Sequence, residues 1–241
     1  MANRKIVVTV SGGMDSALLL YMAVNEVGKE NVYPLFFNYS QRHFKQESAC
    51  AVHQVGLLGL DMKGVDVNFI RDLAPTSSLT NDNIATPNVK EIMGEAQPKS
   101  YVPFRNLMFL SICCSYAEGV GADEVWYGAT KIDSLAGYWD AEETFVEKVN
   151  DVICLNREKR IQVVAPLLEM DKADIVRKGV ELKVPFDKTY TCYSGEMPAD
   201  ANSASSSLRI KGFIQAGYID PMPYKQDLSE VWKKHNCKVI Y

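Results

Sequence analysis

The chain has 241 residues, 47% of them hydrophobic and 23% charged, and a formal net charge of −4. That length holds a sizeable core in one α/β domain, and the acidic balance argues against sequence-independent nucleic-acid binding, which concentrates positive charge; a small anion in a local basic pocket stays open. No apolar stretch reaches transmembrane length and the start, MANRKIVVTV, enters a strand rather than a signal peptide, so a cytoplasmic protein without a membrane partner is expected.

The first predicted strand, 5–10, runs into SGGMDS at 11–16 and then a helical pattern over 15–27. A strand feeding a helix through a tight turn aims free backbone N–H groups and the positive helix end at one point above the sheet. Val10 closes the strand, Gly12 and Gly13 let the chain turn and let an anion approach, and Ser11 and Ser16 add hydroxyls; Met14 continues the loop into the helix. Asp15 is the unusual member, because a carboxylate beside a phosphate cradle calls for a cation or a ribose hydroxyl between them. A polar helix cap is the plain alternative, but serines, glycines and acid coincide here. No Gly-Lys-Ser/Thr follows, so this is not a Walker loop.

Further strands are predicted at 32–37, 64–69, 124–127 and 161–164, and helices at 43–58, 106–118, 141–154, 171–182 and 204–216. The alternation implies a doubly wound, mainly parallel five-stranded sheet with helices on both faces. Ligands of such sheets sit beyond the strands' carboxyl ends, so 11–16, 38–43 and 128–140 should face one crevice. Residues 70–104 carry many Ser, Thr, Asn and Pro with little periodicity, and read as a lid, a binding loop or a mobile segment. The loop-rich part at 185–241 reads as an extension of the same single domain. Of the cysteines at 50, 113, 114, 154, 192 and 237, none forms a CxxC pair; Cys113 and Cys114 read as buried small hydrophobes.

Arg105 opens a helix pattern, where the dipole disfavours positive charge, so an oxyanion clamp is favoured over a surface arginine. Asn106 reads evenly as a cap or a ligand contact. Arg42 and His43 follow the second strand, where either can touch phosphate, though a lone histidine is as often structural. Lys172 opens a helix after Pro166, with functional and solvated readings close. Trp126, Tyr127 and Val239–Tyr241 read as core or interface, and oligomeric state is not legible.

The loop resembles that of the pyrophosphatase-loop enzymes, which split ATP between its α- and β-phosphates. Further blocks resemble the 7-cyano-7-deazaguanine synthase family: NYSQRH at 38–43 (DYGQRH in the family), VPFRNLMFLS at 102–111 (VPGRNLIFLS), GYWDAEETF at 137–145 (GYPDCRPEF), APLLEMDKADIV at 165–176 (APLLxLTKAEIV) and VPFDKTYTCY at 184–193 (VPFELTWSCY). They run in family order over most of the chain. The resemblance implies the adenine nucleotide alpha hydrolase-like fold, with ATP and magnesium as cofactors. It implies adenylation of a 7-carboxy-7-deazaguanine carboxylate, attack by ammonia and a second activation to the nitrile. Asp15, Ser16, Arg105 and Lys172 take catalytic roles in it, with Asp15 a magnesium contact. Asn38, Arg42 and Gly128 join residues 10–16 around the nucleotide. Arg105, Asn106, Tyr138, Trp139, Asp140 and Glu142 face the deazaguanine, with Lys131 and Asp133 as secondary candidates. Relatives are often homodimers.

The chain also departs from the family. Four cysteines hold structural zinc there, but here Cys192 stands alone and the other positions fall on Asp200, Ser203 and Ser206, so no structural zinc is expected. The 194–209 stretch is expected to be partly flexible, or folded in by Leu208, Ile210 and Phe213. Asn38 replaces an aspartate, and Trp139–Glu142 replaces PDCR with reversed charge. Those changes favour a second reading in which the enzyme stops at the amide or uses another amine. A catalytically silent nucleotide-binding module is a third. Transfer-RNA thiolation fits poorly with the acidic charge and absent CxxC.

Overall fold

The computed structural model describes residues 4–92 and 97–240. Residues 1–3 of the start, residues 93–96 of the aperiodic stretch and Tyr241 lie outside the described residues. The strands are β1 Ile6–Val10, β2 Val32–Asn38, β3 Lys63–Asp66, β4 Glu124–Trp126 and β5 Gln162–Val164. They form one parallel sheet in the order β3-β2-β1-β4-β5. In chain order the helices are α1 Met14–Val27, α2 Phe44–Leu58, α3 Phe69–Leu73, α4 Val89–Ile92, α5 Arg105–Val120, α6 Lys131–Leu135, α7 Glu143–Ile153, α8 Lys172–Glu181, α9 Ala204–Ala216 and α10 Ser229–Lys234.

Side-chain alternation along β1 explains the two layers. Ile6, Val8 and Val10 pack with α1, α8 and α9, whereas Val7 packs with α5 and α7 on the other face. A sheet buried on both faces reads as an unbroken apolar run, as IVVTV does. Pro34 is tolerated inside β2 because pairing with β3 begins only at Leu35. The third strand is shorter than expected: the Asp66 carboxylate accepts the Asn68 N–H at 3.1 Å, turning the chain into α3 at residues where strand was predicted.

Two segments expected to be irregular are built into the fold. Ser77, Ser78, Leu79, Thr80, Ser100 and Val102 of the 70–104 stretch are buried, so these parts form a wall rather than a loose lid. The serine-rich stretch is also folded. Ser203 caps α9 by accepting the Ser206 N–H at 3.3 Å, and Ile210 and Phe213 enter the core. Cys192 is fully buried, 3.1 Å from Ser194 Oγ and 3.3 Å from Ser203 Oγ. This cluster presents one thiol among hydroxyls, a donor set that does not fit a tetrahedral thiolate zinc site. Among the described residues no helix is long and apolar enough to cross a membrane.

Candidate active site

One cavity lies beyond the carboxyl ends of β1, β2 and β4, as the topology requires. The 11–16 loop forms its floor. Ser16 Oγ accepts the Ser11 N–H at 3.1 Å and donates to Gly13 O at 3.2 Å, so this hydroxyl closes the loop from within. Ser11, Gly13, Asp15 and Ser16 line the cavity with Val10 and Gly128. The two glycines have separate jobs. Gly12 has φ +79°, and a Cβ there would lie 2.3 Å from the Glu47 carbonyl oxygen. Its bare Cα admits the backbone of α2, not the anion. Gly13 opens α1 with extended backbone and no such clash. Met14 is fully buried in the core, so its side chain takes no part in the cavity.

Lys172, the first residue of α8, reaches Asp15 of the neighbouring α1, with Nζ 2.7 Å from Oδ2. Burial pushes the ammonium pKa down, but the Asp15 and Asp133 charges outweigh it and the net shift is upward. Asp15 Oδ1 is buried without a hydrogen-bond partner among the described residues. That orphan oxygen suits one ligand position of a hydrated divalent cation.

The opposite wall is the start of α5. Arg105 Nη1 donates to Tyr39 OH at 3.2 Å, and the guanidinium lies 5.4 Å from the Tyr39 ring centroid. Burial disfavours the charged guanidinium, but Tyr39 and Asp140 more than restore it, and the pKa rises. Burial drives the Tyr39 hydroxyl up to about 12 against the pull of Arg105. Asp140 is 2% exposed and its Oδ1 has no partner among the described residues; burial raises its pKa and Arg105 opposes the rise. Asn106 lines the same wall, as does Tyr138, whose hydroxyl meets Ser100 Oγ at 2.5 Å. Asp133 also lines the cavity, but its carboxylate is occupied by Thr130 N and Oγ1 at 2.9 and 2.6 Å.

Five sequence candidates stand elsewhere. Arg42 donates to Ile84 O at 2.7 Å and pairs through Nε with Asp82, so it pins the 70–104 wall. Asn38 is tied to Asp66 and Ser40 at the sheet edge. Trp139 donates to Tyr101 OH at 2.9 Å and packs on Phe145 in the groove between α5 and α7. Glu142 is exposed at the start of α7, and Lys131 is exposed on α6; neither lines the cavity. Conversely, Tyr39, Gln41, Glu47, Phe109 and Tyr193 line it and were not singled out, and Tyr127, read as core or interface, lines it too. Tyr39, Gln41, Phe109 and Tyr193 lie in the motif blocks at 38–43, 102–111 and 184–193, which was the available signal.

A parallel sheet with a glycine loop, a helix N-terminus and facing cations defines an α/β protein of the nucleotide-binding kind. The fold is shared with NMN synthetase from Francisella tularensis, at a TM-score of 0.52 and 15% identity over 98% of this chain and 83% of that one. The family described as Queuosine biosynthesis protein QueC matches residues 5–217. The 7-cyano-7-deazaguanine synthase of Koribacter versatilis is 39% identical over 93% of this chain and 95% of its own length. That of Thermoplasma volcanium is 37% identical over 98% and 97%. The chain belongs to the QueC family.

Proposed function

We propose that the chain is an ATP-dependent ligase that activates a 7-carboxy-7-deazaguanine-type carboxylate, gives it to ammonia as the amide and then the nitrile, and releases AMP and pyrophosphate. The observation that carries the reading is the placing of the 11–16 loop and the Arg105–Asp140 wall across one cavity. The backbone N–H groups of the loop and the α1 N-terminus suit the triphosphate. Arg105 suits the acceptor carboxylate, and the unpartnered Asp140 Oδ1 suits the N–H edge of a guanine-like ring. Lys172 holds Asp15 in place and supplies positive charge as the α-phosphorus is attacked. Asp15 Oδ1 would hold a magnesium ion, which would supply neutralising charge for the pyrophosphate.

The reading needs no membrane or nucleic-acid partner, and a cytosolic homodimer fits it. The alternative acceptor amine drew on Asn38 and the 139–142 replacements, of which Glu142 is exposed and does not line the cavity. The test is mass spectrometry after incubation with ATP, magnesium, the carboxylate and ammonia. AMP with the nitrile is the expected outcome. An amide as end product limits the chain to one activation, and ADP in place of AMP overturns the reading.

A further inference from the structure

A buried acid–imidazole pair lines the cavity beside the groups assigned above to nucleotide and acceptor. His43, 2% exposed, faces Glu47 one helical turn on, with Nε2 3.4 Å from Oε1. The other Glu47 oxygen accepts from Gln41 Nε2 at 3.1 Å. Gln41 is itself fixed, donating to Phe37 O at 3.2 Å and accepting the Tyr39 N–H at 2.9 Å. The Tyr193 ring lies 5.3 Å from the imidazole and covers it. A carboxylate facing Nε2 keeps the proton on that nitrogen and leaves Nδ1 as a lone-pair base. Nδ1 is buried and has no partner among the described residues.

The other cavity-lining acids and bases have roles of their own, Asp140 being the group that faces the acceptor ring in the reading above. Asp15 is paired with Lys172, Asp133 caps α6, Arg105 is a fixed cation, and burial raises the Tyr39, Tyr127, Tyr138 and Tyr193 hydroxyls, which stay protonated. An adenylated carboxylate must be attacked by a free amine, whereas ammonia near neutral pH is chiefly ammonium. We infer that His43, oriented by Glu47, is the base that takes a proton from the incoming ammonium, an inference that rests on the ligase reading above.

The proton moves from ammonium nitrogen to His43 Nδ1. The freed lone pair forms the C–N bond at the acyl carbon, the bond from that carbon to the AMP oxygen breaks with its electron pair leaving on AMP, and the surplus N–H proton is lost to water. Glu47 draws the cation in and steadies the imidazolium, making it a positioning residue.

The test compares wild type, His43→Gln and Glu47→Gln in three assays at one neutral pH. These are carboxylate-dependent pyrophosphate–ATP exchange without amine, product formation with ammonia, and product formation with hydroxylamine, which is unprotonated at that pH. Expected for His43→Gln are exchange within about 3-fold of wild type, a loss of about 100-fold with ammonia, and near wild-type hydroxamate formation. Glu47→Gln should show the same split with a smaller loss, and it carries the test should His43→Gln fail to fold. An equal loss in all three assays, or unchanged ammonia turnover, overturns the assignment. Absence of exchange in wild type overturns the ligase reading and this inference with it; normal exchange with no amine-specific loss overturns this inference alone.

Discussion

Gly12 and Gly13 stand side by side in the loop, yet a methyl group meets different surroundings at each. At Gly12 it would press on the main chain of α2, 2.3 Å from Glu47 O and 2.8 Å from Ala51 N, in a backbone conformation that L residues avoid. Neither obstacle can rotate away. At Gly13 the nearest atoms are Ser11 Oγ at 3.3 Å and Tyr190 O at 3.5 Å, and the backbone is ordinary. Gly12→Ala is therefore expected to cost about 3 kcal/mol or more through combined strain and overpacking. Gly13→Ala should cost about 1 kcal/mol, the usual penalty for alanine at a helix N-cap. Urea midpoints of the two variants check the ranking, and equal losses would contradict it. The glycines were legible in the sequence, but their division of labour was not, because the α2 residues that meet Gly12, Glu47 and Ala51, are distant in the chain. The same holds for Arg42 and Trp139. Each lies in the right block, yet their direction is set by Asp82 and Tyr101, partners that no local pattern announces.

At the scale of elements, the five strands and six longest helices were readable because apolar periodicity is a local property. The helices α3, α4, α6 and α10 were not, being at most six residues long and too short to show a period. Nor could periodicity show how close α8 and α9 lie. A Cβ on Gly212 of α9 would stand 2.5 Å from Lys172 Cβ and 2.9 Å from Lys172 C. The absent side chain thus lets α8 sit where Lys172 reaches Asp15. Gly212→Ala should force the helices apart, costing about 2 kcal/mol despite the better helix propensity of alanine, and should slow pyrophosphate exchange. Gly119, exposed on α5 with nothing within 4 Å of its virtual Cβ, is the internal control. Gly119→Ala should stabilise by about 1 kcal/mol from propensity alone. Opposite signs in thermal melts are the expected result, with exchange lowered only by the Gly212 change.

Across the whole molecule, the site depends on a charged pair buried far along the chain. Arg209 and Asp220 have no side-chain exposure, with Nε to Oδ2 at 2.7 Å and Nη2 to Oδ1 at 2.8 Å. The remaining guanidinium hydrogens go to Phe186 O, Thr189 Oγ1 and Thr191 Oγ1 at 3.0, 2.8 and 3.1 Å. They hold the segment whose Tyr190 N–H donates to Gly12 O at 2.9 Å, which ties the C-terminal part of the chain to the anion loop. The Asp220 carboxylate also accepts from Tyr224 OH at 2.6 Å and Met222 N at 3.0 Å. Removing one charge leaves the other buried and unpaired, so Arg209→Met and Asp220→Asn should each cost about 3–5 kcal/mol. The double variant removes both charges and should cost at least about 1 kcal/mol less than the sum. Denaturant unfolding of the four species measures that coupling. Because the clamp reaches the loop through Tyr190, the variants that remain folded should also need more ATP for half-maximal exchange. Additive losses would mean that hydrogen bonding to the Thr189 segment, not charge pairing, holds the C-terminal part against the loop.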